Sequence, residues 1–341
     1  MKGRACIHVQ RSKQDVEIGT QTRVFAVTWR LASRDEFPSI YDAGMTSPLT
    51  EWAPEQGLQL LPAVERLARA AARLILEVYA SDFEVLDKAD HSPVTLADER
   101  AEALITPALQ LLRPAWPVVA EEAASRGQAP AAARTFWLVD PLDGTREFVA
   151  RNGEFTVNIA LVHDGAPVLG VVLLPVSGRQ FSGVAGQGAW EQSAWAHGAW
   201  QAGAWKGGAG EDGVGRPDAA GQGARRALRV RVVPAAGLCV AGSRSHGDEA
   251  ALQAFLNGPL KGQTVASRIT AGSSLKFGLL AAGEADVYAR FGRTMEWDTA
   301  AGHAVLAAAG GSVCTLDGLP LRYGKPGYEN PHFVARGATP A

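Results

Sequence analysis

The chain is poor in cysteine, lacks any long apolar run and carries almost no net charge. Its 341 residues include three cysteines, Cys6, Cys239 and Cys314, far apart and without CxxC spacing. That spacing excludes a disulfide framework and a cysteine zinc site, and it fits a reducing cytoplasm. The longest apolar stretch, Ala166 to Pro175, is far too short to cross a bilayer. The opening MKGRACIHVQ has basic residues but not the continuous apolar segment of a secretory signal. With 33 Lys+Arg against 35 Asp+Glu the formal charge is -2, which gives no electrostatic case for nucleic acid.

What is present describes a globular protein. Hydrophobic residues make up 47% and charged residues 20%, an ordinary soluble balance. The length allows about two domains at roughly 150 residues each. Residues 1–44 show no sustained periodicity, and order begins near Met45. Two readings stay open for that extension: a small added element, or upstream sequence read from a start codon set too early. The lack of pattern favours the second.

Helical periodicity is plain from Pro62, with Val64, Leu67, Ala71, Leu74 and Val78 at three- and four-residue steps and Glu65, Arg66, Arg69 and Arg73 between them. A second helix is expected over about 96–112, with Thr95 at the N-cap and Asp98 three residues on. Strand-like runs follow at Val118–Ala120, Trp137–Val139, Thr156–Val162 and Val168–Leu174, the last two joined by an Asp164-Gly165 turn. Leu228–Val233 and Leu238–Val240 read as further strands. The last third alternates helix (Ser274–Ala282), strand (Asp286–Ala289) and helix (Thr299–Ala309). Interleaved helices and hairpins imply a layered α/β or α+β architecture.

Glycine, at 38 residues, is in excess, and the excess gathers between Gly186 and Gly223. Tryptophans there fall at 190, 195, 200 and 205, a five-residue step that matches neither helix nor strand. We read about 191–225 as a low-complexity insertion projecting from the surface. An aromatic loop touching the cytoplasmic face of the inner membrane is the alternative.

The chemistry lies in the carboxylates. Val118-Val119-Ala120-Glu121-Glu122 and Trp137-Leu138-Val139-Asp140-Pro141-Leu142-Asp143-Gly144-Thr145 each place two acids after a short apolar strand, and Asp298 opens an alanine-rich helix. Acids leaving buried strands sit where loops open a cleft. Pro141 stiffens the turn and Gly144 permits close approach, so Asp140 and Asp143 can point at one spot. Converging carboxylates without Cys or His partners select a hard cation, Mg²⁺ above all. His303 and His246 invite a general-acid role, but both read as structural or loop residues.

The string DPLDGT, with DKADHSPVTLAD (87–98), VVAEE (118–122) and AGSSLKFGLLAAGEADVYARFGRTMEWDTAAGH (271–303), resembles the inositol monophosphatase superfamily of Mg²⁺-dependent, lithium-sensitive phosphatases. The likeness runs from about Pro62 to Phe333, and GSSLKF with RFGRTMEWDTAAGH points to its bisphosphate nucleotidase branch. It implies one two-lobed α/β/α/β/α sandwich over 45–341. It implies two or three Mg²⁺ ions held by Glu121, Asp140, Asp143, the carbonyl of Leu142 and Asp298, with Asp98 and Thr145 orienting and deprotonating the attacking water. Substrate contacts would come from Glu121, Leu142, Asp143 and Asp298 with Gly144, Thr145, Ser273, Lys276 and Arg290. The expected reaction is removal of the 3′-phosphate of adenosine 3′,5′-bisphosphate. The alternatives are inositol or sugar monophosphate hydrolysis, or a non-catalytic fold that binds nucleotide or membrane.

Overall fold

The computed structural model describes residues 52–83, 85–87, 93–195, 200–201, 204–205, 224–244, 249–260 and 262–338. The chain divides into two units, Met1–Pro48 and Leu49–Ala341; the first lies outside the described residues, and every element named below belongs to the second. The expectations for residues 1–44, for His246 and for most of 191–225 therefore lie outside the described residues.

Helix α1 spans Pro54–Tyr79 and starts before Pro62, which lies inside it. The first turn takes Pro54, whose missing N–H would be unsatisfied there in any residue, and the buried Leu60 and Leu61 extend the apolar face backwards. After the short strands β1 (Val85–Asp87) and β2 (Pro93–Thr95) comes α2 (Leu96–Leu112), opened by the expected capping box: Thr95 Oγ1 accepts from Ala97 N, and Asp98 reaches back to Thr95 N.

Next come β3 (Val118–Ala120), α3 (Glu121–Ser125), β4 (Thr135–Asp143), α4 (Thr145–Val149), β5 (Thr156–His163), β6 (Ala166–Leu173), β7 (Arg179–Val184) and β8 (Gly188–Ser193). The two-residue strands β9 (Trp200–Gln201) and β10 (Ala204–Trp205) pair with each other. Strand β11 is Arg226–Leu228 and shares only Leu228 with the expected 228–233 run. The larger sheet has the order β11-β8-β7-β6-β5-β4-β3, antiparallel except for the β3–β4 pair. Its central strands read as nearly unbroken apolar runs because helices cover both faces.

The second half adds β12 (Leu238–Ser243), α5 (Glu249–Asn257), β13 (Val265–Ala271), α6 (Leu275–Ala281), β14 (Val287–Arg290), α7 (Glu296–Ala308), β15 (Ser312–Thr315) and β16 (Phe333–Arg336). These strands form a five-stranded sheet, β13-β12-β14-β16-β15. Helices α1 and α2 pack on one face of the larger sheet and α7, beside α6, on the other. The smaller sheet lies beyond α6 and α7, and α5 with the turn after it closes its far side through Phe255, Leu256 and Leu260. The result is the α/β/α/β/α sandwich. Gly170 shows how tightly α7 lies on the sheet: a Cβ there would stand 2.3 Å from Ala301 O. Among the described residues no helix is long and apolar enough to cross a membrane.

His303 is a packing residue of α7. It is buried, with Nδ1 3.0 Å from Tyr323 Oη. Burial lowers its pKa from 6.5 to about 4, so it folds as the neutral ring. A base depressed in the folded state costs stability once the unfolded chain can take the proton. Unfolding free energy should therefore be intact above pH 6.5 and fall by about 3 kcal/mol as pH drops toward 4. Denaturant titrations across that window should show a weaker slope in His303→Gln.

Candidate active site

A break in strand register creates the site. Asp140 pairs with Asn158 and Asp143 with Thr156, three steps on β4 against two on β5. In a regular strand, positions 140 and 143 would face opposite sides; the extra residue turns both to one side. Pro141, which has no N–H to give, falls within this irregular stretch. The strand thus runs through the acids instead of ending before them.

Asp143 is held by its outer oxygen. Oδ2 lies 2.7 Å from Ser274 N, 2.9 Å from Ser274 Oγ and 3.3 Å from both Thr156 Oγ1 and Asn158 Nδ2. Ser274 Oγ is also 2.5 Å from the carbonyl of Asp298, its single proton shared between the two acceptors. One serine before α6 thereby ties the β4 acid to the first turn of α7, where Asp298 caps its own helix through Met295 N. Gly144 has φ +91°, and a Cβ there would lie 2.2 Å from Ser273 Oγ, which bridges the carbonyls of Asp143 and Glu154 at 2.9 and 2.7 Å. Only glycine fits that turn.

Glu121 begins α3, and its mounting comes from an acid that sequence reasoning passed over. Glu102, buried one turn beyond Asp98 on α2, accepts from Glu122 N at 2.7 Å and Ala123 N at 2.9 Å. It satisfies two helix-start N–H groups that would otherwise be unpaired. Its only outward signal is the i, i+4 spacing from Asp98. Glu102→Gln turns an amide N–H toward one of those donors. We expect a loss of about 1–3 kcal/mol in stability and a several-fold rise in the Mg²⁺ concentration needed for half-maximal activity, checked by denaturant and metal titration.

Asp98 and Thr145 meet as expected. Asp98 is 1% exposed; its Oδ2 accepts from Thr95 N and Thr95 Oγ1, while Oδ1 accepts from Thr145 Oγ1 at 3.3 Å. Thr145 Oγ1 is also 3.5 Å from the carbonyl of Leu142.

Two expected substrate contacts adjoin the acids but are buried and bonded to the protein itself. Lys276 is neither a solvated lysine nor an open anion site. It is buried, and Nζ donates to the carbonyls of Ala271 (3.1 Å) and Ser273 (2.6 Å), bracing the loop that carries Ser274. Burial lowers its pKa to about 8, with Asp143 opposing the shift. Arg290 is likewise buried, spending its guanidinium on the carbonyls of Gly292 and Arg293 and on Ser243 Oγ. Both are inside because each has carbonyls to satisfy it there.

The acids form one electrostatic unit. Burial pushes Asp140 and Asp298 well above the usual carboxylate range, and the charges of Glu121 and Asp143 push both further. Burial also raises Asp143, partly offset by Lys276, Ser274 and Asn158. Among the described residues no three acidic, thiol or imidazole groups form a closed metal cage. The fit to a cation rests on the repulsion it would cancel and on an all-oxygen donor set, which suits Mg²⁺.

The model of the inositol monophosphatase family matches residues 58–336. The 3′(2′),5′-bisphosphate nucleotidase CysQ of Escherichia coli K12 is 41% identical over 277 residues, covering 80% of this chain and 98% of the relative. Its Salmonella typhimurium counterpart is 40% identical with the same coverage. Among solved structures, CysQ from Bacteroides thetaiotaomicron superposes with a TM-score of 0.62 at 35% identity, covering 83% of this chain and 98% of that one. An inositol monophosphatase from Anabaena (TM-score 0.58, 22% identity, 82% and 91% covered) shares the fold. With nearly the whole length of these relatives matched and the layered sandwich in place, this chain belongs to the inositol monophosphatase family.

Proposed function

We propose that the chain is a Mg²⁺-dependent 3′(2′),5′-bisphosphate nucleotidase that hydrolyses adenosine 3′,5′-bisphosphate to AMP and phosphate. The observation that carries the reading is the Asp98–Thr145 pair, whose hydroxyl also neighbours Leu142 O on the bulge that bears Asp140 and Asp143. The nucleotidase relatives support the substrate class.

Glu121, Asp140, Asp143, Asp298 and the carbonyl of Leu142 would hold the Mg²⁺ ions. When bound, Mg²⁺ would neutralise phosphate charge and make water more acidic. Thr145 Oγ1 donates to Asp98 and can accept from the attacking water, which fixes that water's direction. The water oxygen bonds to phosphorus, the P–O3′ bond breaks, and the 3′ oxygen leaves with the bonding pair and takes a proton from solvent water. Asp98 keeps one carboxylate oxygen free of the Thr95 cap and so is poised to take the water's proton through the hydroxyl. Ser273 belongs to the reading as the residue that shapes the Gly144 turn against the phosphate.

A cytoplasmic location is part of the proposal, supported by three dispersed cysteines. The test is a substrate panel with Mg²⁺. Adenosine 3′,5′-bisphosphate should give the highest kcat/KM, 3′-phosphoadenylyl sulfate a lower one, and inositol 1-phosphate the lowest. No phosphate release from any of them would refute an enzymatic role; preference for the inositol ester would reassign the substrate.

A further inference from the structure

Helix α1 buries charge where its periodicity suggested a polar edge. Arg69 is 5% exposed and Glu65 6%, facing the outer strands of the larger sheet. Arg69 Nε donates to Gln180 Oε1 at 2.9 Å, and Gln180 pairs across the ladder with Gln192 on β8. Arg225, just before β11, reaches Glu65 Oε1 at 2.7 Å and lies over the Trp190 ring at 4.5 Å. Helix and sheet edge therefore enclose a cluster rich in donors.

Its polar balance does not close. Glu65 is the carboxylate that faces Arg69 and Arg225, and it stands 3.8 Å from Arg69 Nη2, beyond hydrogen-bond reach. Arg69 Nη2, Arg66 Nε and Gln192 Nε2 are buried with no hydrogen-bond partner among the described residues. Burial lowers the Arg69 pKa; the Glu65 carboxylate opposes that shift, and the charges of Arg73, Arg66 and Arg225 add to it. Around Glu65 itself, three guanidinium groups, Arg66, Arg69 and Arg225, less one carboxylate leave a local charge of 3 − 1 = +2. Buried N–H groups left unmade are costly, and water could satisfy them without relieving the repulsion. A dianion would do both.

We propose that this cluster is a binding site for a doubly charged tetrahedral oxyanion, either free phosphate or the phosphoryl group of a nucleotide. It is built from α1, β7, β8 and Arg225, separately from the elements that carry the carboxylates. Guanidinium forks match phosphate oxygens in pairs, and Arg225, with over a third of its side chain exposed, opens the cluster to solvent. The inference does not depend on which phosphate ester the carboxylate centre hydrolyses.

The test is calorimetric titration of inorganic phosphate into the full chain in EDTA, at ionic strength held constant with chloride. Without Mg²⁺ the acidic centre repels phosphate, so the Arg cluster should give one saturable site that chloride does not fill. The double variant Arg66→Gln/Arg225→Gln should weaken it at least about tenfold, and Arg66→Gln alone, which breaks no ion pair with Glu65, a few-fold. Asp143→Asn should bind phosphate as the wild type does. A parallel titration with AMP distinguishes the sources: tighter binding than phosphate assigns a nucleotide, equal or weaker binding assigns the free ion. Absence of saturable binding, or loss in Asp143→Asn with none in Arg66→Gln, overturns the site. Should the double variant fail to fold by circular dichroism, the single variant decides.

Discussion

Asp143→Asn should lower kcat/KM by on the order of 10³-fold, the several kcal/mol of charge stabilisation that a mispositioned divalent ion forfeits. The geometry says why a near-isosteric change is so costly. Ser274 N, Ser274 Oγ, Thr156 Oγ1 and Asn158 Nδ2 crowd around Oδ2. An amide oxygen would take that place and leave the NH₂ facing the other acids, where a cation is to bind. Mg²⁺ affinity and turnover should fall together. Stability should move the opposite way. The pKa values of Asp140, Asp143 and Asp298 are raised in the folded chain. Folded acids with raised pKa hold extra protons, so without metal these three acids add no penalty at low pH and cost stability as pH rises through the window between their unfolded and folded values. Removing one charge relieves this. In EDTA at pH 7.5, Asp143→Asn should melt higher than wild type, and saturating Mg²⁺ should reverse the order. A variant that loses activity yet shows no gain in Tm without metal would refute the repulsive cluster.

Asp98→Asn should cost between about 10² and 10⁴ in kcat, the usual worth of a positioned general base, with Mg²⁺ affinity little changed. Thr95 N and Thr95 Oγ1 both donate to Oδ2. The asparagine oxygen must stay there to keep the cap, which sends the NH₂ toward Thr145. The threonine hydroxyl then becomes an acceptor from the amide and turns its proton to Leu142 O, 3.5 Å away. The direction of the hydroxyl reverses and the water loses its guide. Thr145→Ala should give a smaller loss, on the order of tenfold or more, again in kcat. Metal titration of all three variants separates the roles: a loss of Mg²⁺ affinity in Asp98→Asn or Thr145→Ala as large as in Asp143→Asn would refute the division between them.

Much of this site was legible because its signals are local. The Thr95–Asp98 capping box, the Asp164-Gly165 hairpin and the DPLDGT string each depend on residues a few positions apart. Family likeness then supplied roles for Glu121, Asp140, Leu142, Asp143 and Asp298 that no spacing rule could assign. The misplacements had physical causes. Lys276 and Arg290 look like phosphate ligands in the sequence because a buried cation is costly in general; here backbone carbonyls at 271, 273, 292 and 293 satisfy them. Pro62 looked like a helix start, though the apolar face continues through it.

The sequence alone determined the alternation of elements and the grouping of acids beside short apolar strands, since both follow from composition and short-range pattern. Tertiary structure decided the rest. Glu102 finds Glu122 N across 20 positions, Ser274 finds Asp143 across 131, and Arg225 finds Glu65 across 160. Whether such side chains end in water or in a partner depends on how layers stack, and a buried polar group takes its meaning from the partner that the stacking provides.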